Sequence, residues 1–383
     1  MNDTQRILTD LVGFDTTSAT SNLDLIAYVE HLLDAHGIWH TRQLDPTGTR
    51  ANLVARIGPS VAGGIVLAAH TDCVPVQGQP WTSDPFTVTA TADRLFGRGV
   101  TDMKGFLASV LAQLPAMVRA ELARPILLLL TYDEELGTVG APAAVELLLR
   151  TQPRPAAAIV GEPSLLEPVT AHKGVRAFTT VVEGVDGHSS QPQRAGNALV
   201  AAVRIATRID ELARQRRDAA ADASFDPPYT SFNVATLHAG QAINIVPRRA
   251  ELTWEYRPVP ADDSDALFAE VERYATEVVL PDLRATTGEG TITFRADASA
   301  RALAPEPNGA AEALVRRLTG STAPASSVPF ATDGGHLQAA GISTVVCGPG
   351  SIEQAHRPDE WIATSQLDAC DAMLTTLVGD LTA

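Results

Sequence analysis

The sequence predicts an α/β domain with a mostly parallel central sheet, into which a smaller α+β domain is inserted. Apolar runs of strand length, such as residues 65–69 and 126–131, are typical of strands covered on both faces. Helical patterns alternate with these runs. The pattern changes near Val175, where the order becomes strand, helix, strand, strand, helix, strand. With 383 residues, the chain is also longer than one ordinary domain.

The spacing of apolar residues predicts each element of the first domain. Residues 1–40 are predicted to be helical, because Ile7, Leu8 and Leu11 share one apolar face and residues 23–33 supply another. Strands are predicted at 51–57, 65–69, 126–131, 157–160 and 343–347, and helices at 106–118, 141–150 and 309–319. The alternation of strands with helices predicts the parallel arrangement.

The inserted domain is predicted from the segment that starts at Val175. Strands are predicted at 175–183, 231–238, 249–257 and 291–296, with helices at 195–216 and 266–279 and a polar, proline-containing loop at 217–230. This order is that of a ferredoxin-like unit. We therefore expect one domain of residues 1–174 and 291–383, and an inserted domain of residues 175–290.

Composition excludes several classes of function. The net charge is −16 and no run of Lys or Arg suggests a phosphate-binding stripe, so nucleic acid is not expected as a partner. The apolar stretch at 125–130 is too short to cross a membrane, and the N-terminus does not resemble a signal peptide. The cysteines Cys73, Cys347 and Cys370 are sparse, odd in number and without CxxC spacing, which fits a reducing cytoplasm.

Five short segments carry the acids and histidines of a candidate site. They are AAHTDCVP (68–75), FGRGVTDMKG (96–105), TYDEELG (131–137), VGEPS (160–164) and GPGSIEQAHRPDE (348–360). Several of these groups directly follow strand patterns, and ligand sites of open α/β sheets lie at the carboxyl ends of strands. Each segment alone is a weak signal, since a Glu-Glu pair is more often a solvated turn. Their common placement favours a site over a coincidental scatter of acids.

The residue types in these segments suit a pair of zinc ions. Imidazole and carboxylate are zinc ligands, and no grouped thiolates are available. His70 and Glu162 could complete one ion, Glu135 and His356 the other, with Asp102 bridging both. Metal pairs of this kind lie about 3.5–4 Å apart and hold a shared water.

Three further residues are candidates for roles beside the metals. Glu134 could take a proton from the water, and Asp72 could accept the imidazole N–H of His70 and fix its tautomer. His188, in the Gly/Ser loop DGHSSQP, could donate to a developing oxyanion. Cys73 could in principle be a ligand, but we interpret it as a small apolar residue.

The chain resembles the dinuclear-zinc peptidase and deacylase family that includes acetylornithine deacetylase, succinyl-diaminopimelate desuccinylase, aminoacylases and glutamate carboxypeptidase. The resemblance extends over essentially the whole chain. It is carried by NLVARIG, HTDCVPVQGQPWTSDPF, GRGVTDMKGF, YDEELG, VGEPS, AHKG, GHSS, NIVP and GPGSIEQAHRPDEW. The segments VGEPS, AHKG and GPGSIEQAH are most similar in sequence to the branch of the family that deacetylates N2-acetyl-L-ornithine, a step of arginine biosynthesis.

The resemblance implies a zinc-exopeptidase-like catalytic domain and an inserted lid and dimerisation domain. It implies metal ligands at His70, Asp102, Glu135, Glu162 and His356, a base at Glu134 and an orienting acid at Asp72. It further implies a homodimer in which His188 is supplied by the partner subunit, and substrate contacts at Asn244 and Arg257. The two divalent ions are expected to be zinc, with cobalt or manganese as alternatives.

The chain departs from the family pattern at Cys73, Thr101 and Thr138, none of which is an expected ligand or base. The expected substrate is a small N-acyl amino acid. A related deacylase or dipeptidase acting on N-succinyl-diaminopimelate or N-acetyl-citrulline is the alternative within the same class. A non-catalytic metal-binding or interaction protein is the alternative from another class, and the unliganded Glu134 argues against it.

Overall fold

The computed structural model describes residues 2–219 and 222–382, and these residues form two compact units. The larger unit comprises residues 2–172, 303–327 and 331–382. The smaller unit comprises residues 173–302, apart from 220 and 221, together with Val328–Phe330. Within the described residues, no helix combines the length and the apolar character needed to cross a membrane.

The helices are α1 (Asp3–Val12), α2 (Leu23–Ala35), α3 (Lys104–Ala112), α4 (Leu114–Arg119), α5 (Ala141–Thr151), α6 (Ala198–Asp218), α7 (Ser264–Tyr274), α8 (Leu280–Arg284), α9 (Ala310–Thr319), α10 (Gly334–Ala339) and α11 (Thr364–Leu381). Short 3-10 helices span Glu134–Leu136, Pro192–Arg194 and Ile352–Gln354, and a π-helical turn spans Ala275–Val279.

The strands are β1 (Trp39–Leu44), β2 (Ala51–Ile57), β3 (Ile65–His70), β4 (Thr89–Ala90), β5 (Arg94–Phe96), β6 (Ile126–Thr131), β7 (Ala157–Pro163), β8 (Val169–His172), β9 (Val175–Glu183), β10 (Gly187–His188), β11 (Ser231–Ala239), β12 (Ile245–Val246), β13 (Arg249–Arg257), β14 (Thr291–Ala300), β15 (Ser326–Val328), β16 (Ser343–Gly348) and β17 (Trp361–Ala363).

The central sheet of the larger unit has the order β1-β2-β6-β3-β7-β16-β8-β15. Its middle strands β6, β3, β7 and β16 run parallel, whereas β2 pairs antiparallel with β6, and β8 with β16. The sheet is therefore mixed, and the prediction of parallel strands is correct for its centre. Every residue of β3, β6 and β7 is buried, which explains why these strands are nearly continuous apolar runs.

Two local predictions in the larger unit are wrong. Residues 13–22 and 36–40 are not helical: the helices end at Val12 and Ala35, and residues 39 and 40 begin strand β1, which pairs along its whole length with β2. The helix predicted at 106–118 is two helices, α3 and α4, which meet at Gln113. Pro115 lies in the first turn of α4, where its missing N–H leaves no helical hydrogen bond unmade.

The smaller unit has the predicted order β9, α6, β11, β13, α7, β14. Its sheet is antiparallel in the order β11-β13-β9-β14, and α6 and α7 pack on it through Ile205, Ile209, Leu267 and Val271. Because β14 pairs with β9 through Ala300, the main segment of this unit extends to Ala302, and the boundary expected at 290/291 is displaced. Within the predicted 217–230 loop, Ala220 and Ala221 lie outside the described residues.

Candidate metal centre

The candidate site lies at the carboxyl ends of the parallel strands β3, β6 and β7. His70 is the last residue of β3 and pairs in register with Thr131, the last residue of β6. Glu162 lies near the end of β7, directly after Gly161. A Cβ at Gly161 would lie only 2.0 Å from the ring of Phe106, so α3 can pack against β7 here only if this position has no side chain.

The first group of candidate ligands is formed by His70, Asp102 and Glu162. The Nε2 atom of His70 lies 3.0 Å from Oδ1 of Asp102 and 3.6 Å from Oε1 of Glu162. One ligand atom from each residue lies within 4.8 Å of those of the other two. All three residues are buried, and His70 is only 1% exposed.

The second group is formed by Asp102, Glu135 and His356. The Nε2 atom of His356 lies 3.3 Å from Oδ2 of Asp102 and 3.1 Å from the Glu135 carboxylate. These ligand atoms also lie within 4.8 Å of one another. The two oxygens of Asp102 therefore face two different histidines, which is the arrangement that a carboxylate shared by two ions requires. His356 is the exposed member, with 53% of its side chain accessible.

The donor atoms and their charges fit divalent cations. Each group offers one imidazole nitrogen and carboxylate oxygens, a set that suits zinc and related ions. Asp102, Glu134 and Glu162 are 6%, 8% and 4% exposed, so several carboxylates are crowded in one buried place. Buried carboxylates are costly unless they are paired or coordinate a metal. The ion-pair partners of Glu162 and Glu135 are the two histidines, His70 and His356.

The pKa values of the buried carboxylates and of His356 are shifted by the same crowding of charged groups. Burial, followed by the charge of Glu162, raises the pKa of the Glu134 carboxyl well above its usual range. Burial and the charge of Asp102 raise the pKa of Glu135 to about 6. Burial would also raise the pKa of Asp102, but hydrogen bonds from His356 and His70 hold it below its usual range. Hydrogen bonds to Asp102 and Glu135 raise the pKa of His356 to about 10.

Glu134 lies beside the ligands on a turn of fixed shape. The turn follows β6 and begins at Asp133, whose φ of 50° is in the left-handed region. The carbonyl oxygen of Glu134 accepts from the N–H groups of Gly137 and Thr138, at 2.8 and 2.7 Å. Oδ1 of Asp133 accepts from the N–H of Ala19 at 2.8 Å, and its Oδ2 pairs with Arg50. These contacts fix the backbone of the turn that carries Glu134 and Glu135.

Asp72 contacts His70 differently from the prediction. The nearest acceptor to Nδ1 of His70 is the backbone carbonyl of Asp72, at 3.0 Å, whereas its carboxylate oxygen is 3.6 Å away. The carboxylate instead accepts from the N–H groups of Glu134 and Glu135, at 3.0 and 3.3 Å, and from the hydroxyl of Ser18. The carbonyl therefore fixes the imidazole tautomer, while the carboxylate holds the turn that carries Glu134.

The remaining predicted residues, His188, Asn244 and Arg257, lie in the smaller unit. His188 is exposed on β10, and its Nδ1 accepts from the N–H of Ser190 at 3.2 Å. The carbonyl oxygen of Asn244 accepts from the N–H of Ser189 at 3.0 Å, so the two loops are joined. Arg257, at the end of β13, pairs with Glu255 at 3.1 Å.

Sequence reasoning missed two buried acids near these groups. Asp333 is 3% exposed, and its Oδ2 accepts from the hydroxyl of Thr131 at 2.6 Å. Burial raises the pKa of Asp333 to about 6. Glu360, the last residue of the fifth segment, is 1% exposed. Neither acid directly follows a long apolar strand, which was the signal that singled out His70, Glu134, Glu135 and Glu162.

Comparison with known proteins places the chain in a family. The model of peptidase family M20/M25/M40 matches residues 66–380. The chain therefore belongs to this family and is a metallo-hydrolase that acts on amide bonds.

Two relatives are similar over nearly their whole length. Acetylornithine deacetylase from Myxococcus xanthus is 34% identical over 382 residues, which cover 97% of this chain and 95% of that protein. Acetylornithine deacetylase from Erwinia tasmaniensis is 34% identical over 367 residues, covering 94% and 92%.

Solved structures show the same fold at lower identity. The M20 family metallo-carboxypeptidase Sso-CP2 from Sulfolobus solfataricus has a TM-score of 0.75 at 19% identity, with 99% of each chain covered. The YXEP protein of Bacillus subtilis, described as a dinuclear metal binding peptidase from the M20 family, has a TM-score of 0.62 at 18% identity. The coverage there is 99% of this chain and 97% of that protein.

Proposed function

We propose that this protein removes the acetyl group from N2-acetyl-L-ornithine, giving L-ornithine and acetate. The observation that supports a hydrolytic site most directly is the shared carboxylate of Asp102 between two ligand groups, with Glu134 beside them. The relatives named acetylornithine deacetylase, similar over nearly the whole chain, support the choice of substrate.

We propose zinc as the metal, with cobalt and manganese also compatible with these nitrogen and oxygen ligands. His70 and Glu162 would hold one ion, Glu135 and His356 the other, and Asp102 both. When bound, such ions act as Lewis acids toward a carbonyl oxygen and make a water more acidic. The geometry of the two groups, each with its ligand atoms within 4.8 Å, supports this assignment.

Glu134 is the residue proposed to move the proton. Its carboxylate takes a proton from water as the water oxygen bonds to the acetyl carbonyl carbon. When the C–N bond breaks, the same proton passes to the departing α-amino nitrogen, so that ornithine leaves as the amine and acetate as the acid. In the metal-free protein burial raises the pKa of Glu134, the direction expected for a group that must both accept and return a proton.

His188 is proposed to donate a hydrogen bond to the oxygen of the tetrahedral intermediate. Because Nδ1 of His188 accepts from the N–H of Ser190, the neutral ring carries its proton on Nε2. The side chain is exposed, so this N–H is available to a group outside the unit. Asn244 and Arg257 are proposed to contact the substrate, Arg257 through its α-carboxylate.

The homodimer is proposed to form through the smaller unit. Strand β11 is at the edge of its sheet and leaves a row of backbone groups without a neighbouring strand in the order β11-β13-β9-β14. Its Val234 is 38% exposed, and Val200 and Val203 on α6 are 54% and 46% exposed. An edge strand and an adjacent apolar helix face suit pairing with a second copy, which would bury both.

A substrate panel tests the proposed function. Purified protein loaded with zinc is given N2-acetyl-L-ornithine, N-succinyl-diaminopimelate and N-acetyl-citrulline at equal concentrations, and the release of acetate or succinate is followed. The highest kcat/KM on acetylornithine is expected. Preference for either other substrate would replace the substrate assignment, and a metal-loaded protein that cleaves none of them would contradict the proposal.

Mixing two inactive variants tests the role of His188. His188→Ala and Glu134→Gln subunits are combined under conditions of subunit exchange, and heterodimer formation is measured separately. If His188 acts across the dimer, the site with intact Glu134 receives an intact His188 from its partner, and activity partly returns. Heterodimers without activity would show that both residues act within one chain.

A further inference from the structure

We propose that Glu360 is a positioning residue for the metal centre, which holds together the turn carrying Asp102 and the loop carrying His356. This inference rests on the proposed metal sites. It is carried by the contacts of the Glu360 carboxylate, which is 1% exposed and lies at the end of the His356 loop.

The Glu360 carboxylate accepts four hydrogen bonds, all from residues 98–102, the turn that carries Asp102. Oε1 of Glu360 accepts from the N–H groups of Thr101 and Asp102, at 2.9 and 3.2 Å. Oε2 accepts from the N–H of Gly99, at 3.0 Å, and from Nη1 of Arg98, at 2.8 Å. Three backbone donors of one turn therefore converge on one buried charge, which fixes the backbone from which the Asp102 side chain projects.

Arg98 also connects Glu360 to the loop of His356, through Gln79. Nη2 of Arg98 donates to Oε1 of Gln79, and Nε2 of Gln79 donates to the carbonyl oxygen of His356 at 3.0 Å. His356 has a φ of 62°, a left-handed conformation that costs free energy for a residue with a side chain. A hydrogen bond to its carbonyl oxygen therefore helps to keep the loop in the form that points the imidazole at Asp102.

Two further hydrogen bonds join residues 97–101 to residues 360 and 361. The N–H of Gly97 donates to the carbonyl oxygen of Glu360 at 3.0 Å, and the hydroxyl of Thr101 donates to that of Trp361 at 2.7 Å. Strand β17 then pairs antiparallel with β5. Glu360 thus links the segment of Asp102 to the segment of His356. These segments are distant in sequence, and each supplies a ligand of the second group.

The test compares metal binding by Glu360→Gln and wild type. A glutamine has one acceptor oxygen and an NH2 group, so at least one backbone donor of the turn would face another donor. We expect the affinity for zinc to fall about 10–100-fold, the range seen when groups supporting metal ligands are removed. The probe is zinc alone, added to metal-free protein in competition with a chromogenic chelator. Glu360→Asp, which keeps the charge, should recover part of the affinity.

Two further variants keep the test decisive. Gln79→Ala leaves the Glu360 carboxylate in place but removes the hydrogen bond to the His356 carbonyl, together with those from Arg98 and Trp81, and should weaken one of the two zinc sites. Asp371→Asn removes a partly buried carboxylate that accepts from Thr4, and it should alter stability without altering zinc affinity. Normal zinc affinity in Glu360→Gln would overturn the inference, whatever the result for Gln79→Ala. A wild-type protein that fails to bind two zinc ions would instead contradict the metal centre itself.

Discussion

Replacing Glu134 with glutamine separates proton transfer from metal binding. Glutamine has the same shape but cannot accept the proton from water, and Glu134 belongs to neither ligand group. The backbone N–H of Glu134 would still donate to Asp72, so the turn should keep its shape. We therefore expect Glu134→Gln to bind the metals normally and to lose most of its turnover.

The expected loss is about two to four orders of magnitude in kcat, the usual contribution of a positioned acid–base group. At about 1.4 kcal/mol per tenfold change, this corresponds to roughly 3–5 kcal/mol of barrier. Glu134 is only 8% exposed. Bulk water therefore has little access to the site and cannot readily act as the base in its place. This favours the upper part of that range.

Stability gives an independent check on the same variant. Because burial raises the pKa of Glu134, its ionisation opposes folding once the pH exceeds the ordinary value of a glutamate. The metal-free Glu134→Gln protein should therefore be at least as stable as wild type at pH 7. The assay is acetate release with metal content measured on the same samples, and Glu135→Gln serves as the control that loses metal. Near-normal turnover by fully loaded Glu134→Gln would refute the assignment.

Three other predictions concern metals, pH and substrate. Asp102→Ala should lower the occupancy of both metal sites, whereas His356→Ala should mainly lower the occupancy of one. Elemental analysis measures the bound metal. Identical loss of one ion in both variants would contradict the role of Asp102 as a shared ligand. In metal-free protein, the pKa of His356 is raised to about 10; its contribution to folding stability is then complete below about pH 6.5 and lost as the pH rises through 10, which denaturant titrations across that range should detect. Arg257→Lys should lower kcat/KM for acetylornithine with unchanged metal content, because lysine cannot form two parallel hydrogen bonds to a carboxylate, and unaltered kinetics would favour a surface ion pair with Glu255.

Long apolar strands made much of the fold predictable. Strands β3, β6 and β7 are buried on both faces, so their composition differs sharply from that of the surrounding loops. The acids that follow them could be placed at one sheet edge for the same reason. Strand β1 was missed because none of its residues is fully buried and its partner β2, rather than its own composition, determines its conformation.

Contacts between individual atoms were the part that sequence could not provide. The spacing of His70 and Asp72 predicts that they are close, but not that the carbonyl oxygen rather than the carboxylate meets the imidazole. Glu360 follows Asp359 in a polar loop, a pattern that usually indicates solvated residues. Only the fold shows that this loop returns to the Asp102 turn and buries the charge.

The placement of the inserted unit has a consequence for the order in which the protein can fold during synthesis. Strand β16, which pairs with β7, emerges only after the whole of residues 173–302. Until then β7 has an open edge, and Glu162 is made long before His356. The smaller unit is nearly continuous in sequence and can complete its own sheet first. A chain stopped before β16 would therefore display an apolar strand edge, a hazard for aggregation, and its second ligand group would lack His356.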